Sequence, residues 1–232
     1  MLIRAADEAP NGVTIYGQEY DTTTAGLAKM NLVLHNKSTG TITNANTLSN
    51  PQFKDKYNPE KLERFDFAVA NPPFSYKSWA NGIDTSSDER FKEYKAAPPD
   101  KNGDYAWLIH FTHSLKPKIG KGAIILPHGV LFRGNAEATI RREIIEKRIL
   151  KGIIGLPANL FYGTGIPACI IVIDKENANA RQGLYMIDAS KGFIKDGNKN
   201  RLREQDIRKI VECFNQYKEI PKYSRMIPYS EI

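Results

Sequence analysis

Phe65-Asp66-Phe67-Ala68-Val69-Ala70-Asn71-Pro72-Pro73-Phe74 is the stretch of sequence that decides the fold. Phe65, Phe67 and Val69 alternate with smaller or polar residues, which predicts a β-strand over 65–70. The two prolines cannot continue a sheet, because neither has a backbone N–H to donate. The strand is therefore expected to end at Ala70, and its carboxyl end should present an amide side chain, a rigid carbonyl and an aromatic ring.

Residues 71–74, called here the Asn-Pro-Pro-Phe corner, are a candidate site because ligands of open α/β sheets bind beyond the carboxyl ends of the strands. An amide oxygen and a fixed carbonyl oxygen can both accept from one amino group, while an aromatic ring stacks on a flat base. This set favours chemistry on the exocyclic amine of a nucleobase. The alternative is a proline turn after an edge strand, since Asn and Pro are common turn residues.

Strands and helices alternate along the rest of the chain. Apolar runs predict strands over 13–16, 41–43, 123–126, 153–156, 168–173 and 184–187, and helical spacing predicts helices over 27–34, 107–115, 140–149 and 207–217. This order predicts an α/β fold with a mainly parallel sheet. No helix fits between 156 and 168, so the strands on either side are expected to form an antiparallel hairpin at one edge. Residues 76–103 are polar, and a loop of that length is usually functional or disordered.

Composition restricts the function classes. Lys and Arg number 33 against 26 Asp and Glu, a net charge of +7 that fits a polyanionic partner. The densest basic group, over 191–208, is interpreted as a solvated loop and helix start rather than a phosphate contact. Cys169 and Cys213 have neither metal-ligand spacing nor a disulfide pattern. No stretch has the length of a signal-peptide core or a membrane span, so a cytoplasmic protein with no membrane partner is expected.

Six segments, the corner among them, stand in a fixed order. They are Ile15-Tyr16-Gly17-Gln18-Glu19, Leu27-Ala28-Lys29-Met30-Asn31-Leu32, Phe65 to Ser75, Asp104-Tyr105-Ala106-Trp107, Leu126-Pro127-His128-Gly129-Val130-Leu131-Phe132-Arg133-Gly134 and Ile154-Gly155-Leu156-Pro157-Ala158-Asn159-Leu160-Phe161-Tyr162-Gly163-Thr164-Gly165-Ile166-Pro167. In this order and spacing, over nearly its whole length, the chain resembles the modification (M) subunit of type I restriction–modification systems, an N6-adenine DNA methyltransferase. The last segment is the most specific.

The resemblance implies a catalytic role for the whole corner. Asn71 and the Pro72 carbonyl would accept from the adenine N6 amino group and favour a more nucleophilic nitrogen as positive charge develops there. Pro73 would hold the corner rigid, and Phe74 would stack on an adenine flipped out of the helix, which returns about 1–3 kcal/mol. Double-stranded DNA would be the substrate, and the specificity (S) and restriction (R) subunits would be partners.

The resemblance also implies S-adenosylmethionine as the methyl-donating co-substrate. Glu19 matches the family's acidic residue for the ribose hydroxyls; without the family, it would be interpreted as a surface Glu in a turn. Asn46 falls where the family usually carries an Asp that faces the cofactor adenine, and its oxygen could still accept from the adenine amino group.

The chain departs from the family upstream of Val13, where the glycine-rich strand-to-helix turn that holds the methionine part of the cofactor is expected. The predicted fold is therefore an S-adenosylmethionine-dependent methyltransferase sheet, Rossmann-like, without its first strand and glycine loop. Residues 1–190 are predicted to be a partial catalytic domain, and 191–232 a C-terminal helical extension.

Two alternatives stay open at this stage. The chain could be a non-catalytic module that assembles with specificity and restriction subunits, which the missing glycine loop favours. It could also resemble enzymes that methylate protein glutamine, which share Asn-Pro-Pro. Those enzymes generally carry Tyr after the prolines and lack the segment from Leu160 to Gly165. His110 and His113 share a helix face, but no further ligands are evident, so no metal site is predicted.

Overall fold

The computed structural model describes residues 1–232 and confirms the predicted α/β fold. The strands are β1 (Tyr16–Glu19), β2 (Thr41–Asn44), β3 (Phe67–Ala70), β4 (Lys121–Pro127), β5 (Leu150–Gly155), β6 (Ala168–Asp174), β7 (Gly183–Asp188), β8 (Ile194–Asp196), β9 (Lys199–Arg201) and β10 (Ser224–Pro228). The α-helices are α1 (Leu2–Asp7), α2 (Thr22–Leu34), α3 (Asp104–His113), α4 (Asn135–Glu146) and α5 (Glu204–Gln216). Every predicted strand and helix has a counterpart here, with shifted bounds.

Six strands form the main sheet, in the order β10-β7-β5-β6-β4-β3. β3 is parallel to β4 and β5 to β7, whereas β6 is antiparallel to β4 and β5, and β10 is antiparallel to β7. The sheet is thus mixed, and the expectation of a mainly parallel sheet was wrong. The predicted antiparallel hairpin is confirmed as β5–β6. Its predicted place at an edge is wrong, because β7 and β10 extend the sheet beyond β5.

β1 and β2 form a separate parallel pair. The first strand was predicted over 13–16 but runs over 16–19, because its ladder begins where Thr41 donates its N–H to the Ile15 carbonyl at 2.8 Å. Aromatic rings join the pair to the main sheet: Tyr16 lies 5.4 Å from Phe53 and 5.4 Å from Phe65, between centroids.

Helix α2 begins at a capping aspartate, five residues before the predicted start. The Asp21 carboxylate accepts from the Thr24 N–H at 2.7 Å, and such a cap stabilises a helix by about 1 kcal/mol. The buried residues of the helix are Ala25 and Leu32. Its other large apolar side chains are exposed: Leu27, Met30, Val33 and Leu34.

The main core lies between the six-stranded sheet and helices α3 and α4, and the polar loop over 76–103 contributes to it. Trp79 and Phe91 from that loop are 1% and 2% exposed, and their ring centroids lie 5.5 Å apart. Leu48, which follows β2, is buried in the same cluster. The loop is therefore a packed part of the domain, which positions the segment immediately after the Asn-Pro-Pro-Phe corner.

Residues 191–232 contain β8, β9 and β10 as well as helix α5. Helix α5 packs with Ile210 and Cys213 against Tyr185 of β7, and β10 extends the sheet beside β7. Arg203 is the N-cap of α5, and Asp206 accepts from the Arg203 N–H at 2.9 Å and from its guanidinium. The division at residue 190 stays a prediction.

Both cysteines are buried free thiols. No helix is both long enough and apolar enough to span a membrane.

Candidate active site

The corner follows β3 at the point where that strand loses its partner. The β3–β4 ladder ends at the pair Ala70↔Ile124, and Asn71 comes next. The Asn71 side chain is exposed and makes no hydrogen bond with the protein, whereas Pro72 is buried and Phe74 is half-buried. The corner therefore presents a free amide next to a proline that is packed into the fold.

A second aromatic side chain stands beside Phe74. Phe161 belongs to residues 157–167, called here the aromatic loop, which connects β5 to β6. The two ring centroids are 5.6 Å apart with the planes at 79°, an edge-to-face arrangement. Tyr162, the next residue, is 95% exposed. The structure thus brings the corner and the aromatic loop together, and the ring of Tyr162 is exposed to solvent next to Phe161.

Two neighbouring residues of β9, Lys199 and Asn200, donate hydrogen bonds to the aromatic loop. The Lys199 ammonium donates to the Phe161 carbonyl at 2.7 Å, to the Thr164 carbonyl at 3.0 Å and to Asn159 Oδ1 at 3.1 Å. Asn200 adds an Nδ2 donor to the Ala158 carbonyl at 2.7 Å. The basic stretch over 191–208 is therefore not uniformly solvated as interpreted from the sequence, because this ammonium faces inward.

The carboxylate of Asp104, at the start of α3, lies against the other side of the corner. It is fully buried and accepts from the backbone N–H of Ser75, the residue after Phe74, at 2.7 Å. Arg133 donates to the same carboxylate. Burial works to lower the pKa of Arg133, but the hydrogen bond to Asp104 and the charges of Glu137 and Asp104 outweigh burial and raise it.

The two cofactor candidates lie on the β1–β2 pair. Glu19 ends β1 opposite Asn44 of β2, and its Oε1 accepts from the Asp21 N–H at 2.9 Å. Its other carboxylate oxygen has no protein donor, so the group retains acceptor capacity for a ligand.

Asn46 lies two residues beyond β2, close to Glu19. Its Oδ1 accepts from the backbone N–H groups of Leu48 and Ser49 at 2.9 and 3.1 Å. Both lone pairs of the oxygen are thereby used. The group that Asn46 has left for a ligand is its Nδ2 amino group, a donor, whereas the sequence had indicated an acceptor.

The β1–β2 pair is tied to the corner side of the sheet by two contacts. Leu48 is buried in one cluster with Trp79, five residues after Phe74. Arg90 donates to the Leu48 carbonyl at 2.7 Å. These contacts connect the segment that follows Asn46 with the loop that follows the corner.

His110 and His113 of α3 both have side-chain partners within the protein. His110 Nδ1 lies 2.9 Å from Arg90 Nη1, and burial lowers its pKa to about 3. His113 Nε2 lies 3.0 Å from Glu93.

Sequence reasoning missed the inward contacts of Asp104, Arg133 and Lys199. Asp104 and Arg133 lie in two of the six ordered segments, but no sequence pattern connects either to the corner. Lys199 had no signal, because its partners lie 35–40 residues away in sequence.

The family model described as N-6 DNA Methylase matches residues 1–232, the whole chain. The methylase subunit of the type I restriction enzyme MpnII from Mycoplasma pneumoniae is 35% identical over 225 residues, which cover 95% of this chain and 41% of that protein. The HindI methylase subunit from Haemophilus influenzae is 32% identical and covers 92% of this chain and 46% of that protein.

Among solved structures, the methyltransferase subunit of a type I restriction–modification system from Streptococcus thermophilus matches with a TM-score of 0.87 and 36% identity. The match covers 100% of this chain and 48% of that one. The chain thus spans less than half the length of these relatives. Its full-length match to the family model, its identity to type I methylase subunits and the shared fold show that the chain belongs to the N-6 DNA methylase family.

Proposed function

We propose that the chain carries the adenine pocket of a type I modification subunit and methylates the N6 amino group of adenine in DNA. The observation that carries this proposal is the Asn-Pro-Pro-Phe corner at the end of β3, with a free Asn71 amide beside a pair of aromatic rings. Family membership supports the same chemistry.

The residues of the corner act on the target base. Asn71 Oδ1 and the Pro72 carbonyl accept from the two N6 protons, which draws the nitrogen lone pair out of conjugation with the ring. As the nitrogen gains a methyl group and positive charge, the same two acceptors stabilise it before a proton leaves. Phe74 provides a stacking face, and Phe161 fixes the orientation of that face through its edge contact.

S-adenosylmethionine, when bound, supplies the methyl group on a positively charged sulfur. Glu19 fits the ribose hydroxyls, because one of its carboxylate oxygens is unpartnered and the other accepts a single backbone N–H. Asn46 fits the cofactor's base through Nδ2 donation to a ring nitrogen.

The proposed substrate is double-stranded DNA, and the proposed partners are a specificity subunit, which reads the sequence, and a restriction subunit. Tyr162, almost fully exposed next to Phe161, is placed to contact the strand from which the adenine has left. The net charge of +7 favours a polyanion. The two free thiols accord with a cytoplasmic complex.

The test is Asn71→Ala in the modification complex that contains this chain, with Asn81→Ala as the matched control. Asn81 is also an exposed asparagine, in the loop that follows the corner. Loss of the Asn71 Oδ1 acceptor at the developing charge, with the Pro72 carbonyl still in place, should lower turnover about 10²–10³-fold, with cofactor affinity and assembly unchanged. Methylation of DNA at the wild-type rate by the Asn71 variant would refute the proposal.

A non-catalytic role in assembly is the second candidate, favoured by the four exposed apolar side chains of α2. The two candidates differ in one result: an assembly module would leave DNA unmethylated in the complete complex, whatever residue stood at position 71.

A further inference from the structure

The segment immediately after the corner has an unusual backbone conformation. Ser75 has a φ of +51°, in the left-handed region that a side chain other than glycine disfavours. Such a residue persists only where surrounding contacts hold it. Its backbone N–H and its hydroxyl both face one group, the Asp104 carboxylate, at 2.7 and 3.4 Å.

The carboxylate that holds Ser75 is itself held from the opposite side. Arg133 Nη2 donates to Asp104 Oδ2 at 2.5 Å, and Arg133 Nε donates to Glu137 at 2.6 Å. Arg141 Nη1 donates to the Arg133 carbonyl at 2.9 Å. Two carboxylates and two guanidinium groups therefore meet behind the corner, in a cluster without net charge.

This cluster joins three separate parts of the fold. Asp104 begins α3, Ser75 follows β3, and Arg133 lies between β4 and α4. Asp104 is also fixed at its own backbone, since its N–H donates to Asn102 Oδ1 at 3.1 Å. The carboxylate thus lies at the start of a helix and reaches across to a loop residue with a disfavoured backbone conformation.

We propose that Asp104, oriented by Arg133, is the positioning residue that holds the Asn-Pro-Pro-Phe corner in the geometry needed for methyl transfer. The proposal rests on the proposed function for its catalytic consequence. Asp104 touches neither base nor cofactor in this role. It fixes Ser75, and Ser75 fixes the chain direction of Phe74 and the two acceptors before it.

An amide cannot replace the carboxylate here. Asp104 accepts from Ser75 with one oxygen and from Arg133 with the other. Asn has one oxygen and one NH₂ donor, so Asp104→Asn must turn a donor toward either the Ser75 N–H or the guanidinium. One of the two contacts is lost, while the side-chain volume hardly changes.

The chain offers a matched control in Asp174, at the end of β6. Asp174 is 4% exposed, accepts from the Glu176 N–H at 2.9 Å and pairs with the Lys151 ammonium at 2.9 Å. It therefore makes the same kinds of contact as Asp104. In the β4–β6 ladder, the backbone of Asp174 lies opposite Lys121 at the start of β4. Arg133 follows the other end of β4, so Asp174 is far from the cluster behind the corner along that strand.

The experiment compares hydrogen exchange of a peptide over 71–79 in the wild type, Asp104→Asn, Arg133→Gln and Asp174→Asn. Loss of a charge-assisted hydrogen bond should speed exchange of the Ser75 amide in this peptide about 10- to 100-fold in the first two variants only. Arg133→Gln leaves the buried carboxylate in place, so it keeps the test open if Asp104→Asn unfolds. Unchanged exchange of this peptide in a folded variant, or an equal increase in Asp174→Asn, would overturn the proposal.

Turnover in the modification complex supplies the second readout. Asp104→Asn should lower kcat about 100-fold, the cost of a small misplacement of reacting groups, with the KM for DNA within about threefold of wild type. A rise in KM at unchanged kcat would overturn the positioning role. Exchange at the corner requires no methylation, so a complex that never methylates DNA would refute the proposed function and leave the exchange comparison to decide this proposal by itself.

Discussion

Replacing Lys199 with Met should loosen the aromatic loop. The substitution keeps a flexible side chain of similar length and removes the ammonium, which donates to three oxygens of residues 159–164. Those oxygens lie in half-buried residues, so water can reach them in part once the ammonium is gone.

The size of the effect follows from the contacts. A hydrogen bond to a charged group contributes about 1.5–3 kcal/mol, but the three share one ammonium and water replaces part of each. We take about 2 kcal/mol for the set, which corresponds to about 30-fold at 1.4 kcal/mol per tenfold change. Amides over 157–167 should exchange with deuterium faster by that factor, because local opening of the loop becomes easier.

Lys195→Met is the matched control, since Lys195 belongs to the same β8–β9 hairpin and is exposed. Its ammonium lies 5.9 Å from the Phe193 ring centroid and makes no hydrogen bond. The control should change the free energy of unfolding by less than about 0.5 kcal/mol. Equal exchange over 157–167 in the two variants would show that Lys199 does not hold the loop.

Two further predictions concern stability. Burial is the main cause that lowers the pKa of His110 to about 3, so only the unfolded chain takes up that proton as the pH falls from 6.5 toward 3. The free energy of unfolding should therefore drop by on the order of 1 kcal/mol from pH 6.5 to 5. His110→Gln should reduce this pH dependence in urea unfolding, and an unchanged pH dependence would contradict the assignment. Gly122→Ala should lower the free energy of unfolding by about 1–3 kcal/mol, because its Cβ would lie 2.7 Å from the Ala68 carbonyl oxygen. Gly26→Ala, with open space around it in α2, should instead raise it by about 0.5–1 kcal/mol in the same assay; equal losses in both would contradict the steric reason.

Local patterns predicted the elements of this fold well, because each depends on residues close in sequence. The alternation before Asn71 and the two prolines predicted where β3 ends. Asp21, a residue type that favours helix N-caps, stands directly before α2. These features act within one turn or one strand, so they are visible without knowing what lies beside them.

Pairing and orientation were predicted less well, because they depend on partners far along the chain. The β5–β6 hairpin was placed at an edge, since nothing local shows that β7 returns beside β5 or that β10 joins β7. The side chains of Leu27 and Met30 marked a helix but not its buried face, which is set by Ala25 and Leu32.

The residues of the candidate site likewise fall into those that local sequence predicted and those whose contacts depend on distant partners. The corner was identified from its motif and Glu19 from its position. The Asn71 amide and one oxygen of Glu19 have no protein partner, so both groups are free for the contacts that the predicted roles require. The group that Asn46 leaves without a protein partner is its Nδ2 donor rather than its oxygen, because Oδ1 accepts from two backbone groups, which only a structure reveals. Asp104 reaches Ser75 across 29 residues, so its role behind the corner has no local pattern.

The most direct test of adenine methylation is to identify the product. S-adenosylmethionine with a tritiated methyl group would be incubated with DNA and the modification complex that contains this chain, and the DNA and protein would be digested and analysed separately. We predict label in N6-methyladenine from the DNA, and none above background when Asn71 is replaced by Ala. Label in another base or in protein glutamine, or equal label with Asn71→Ala, would contradict the proposed chemistry.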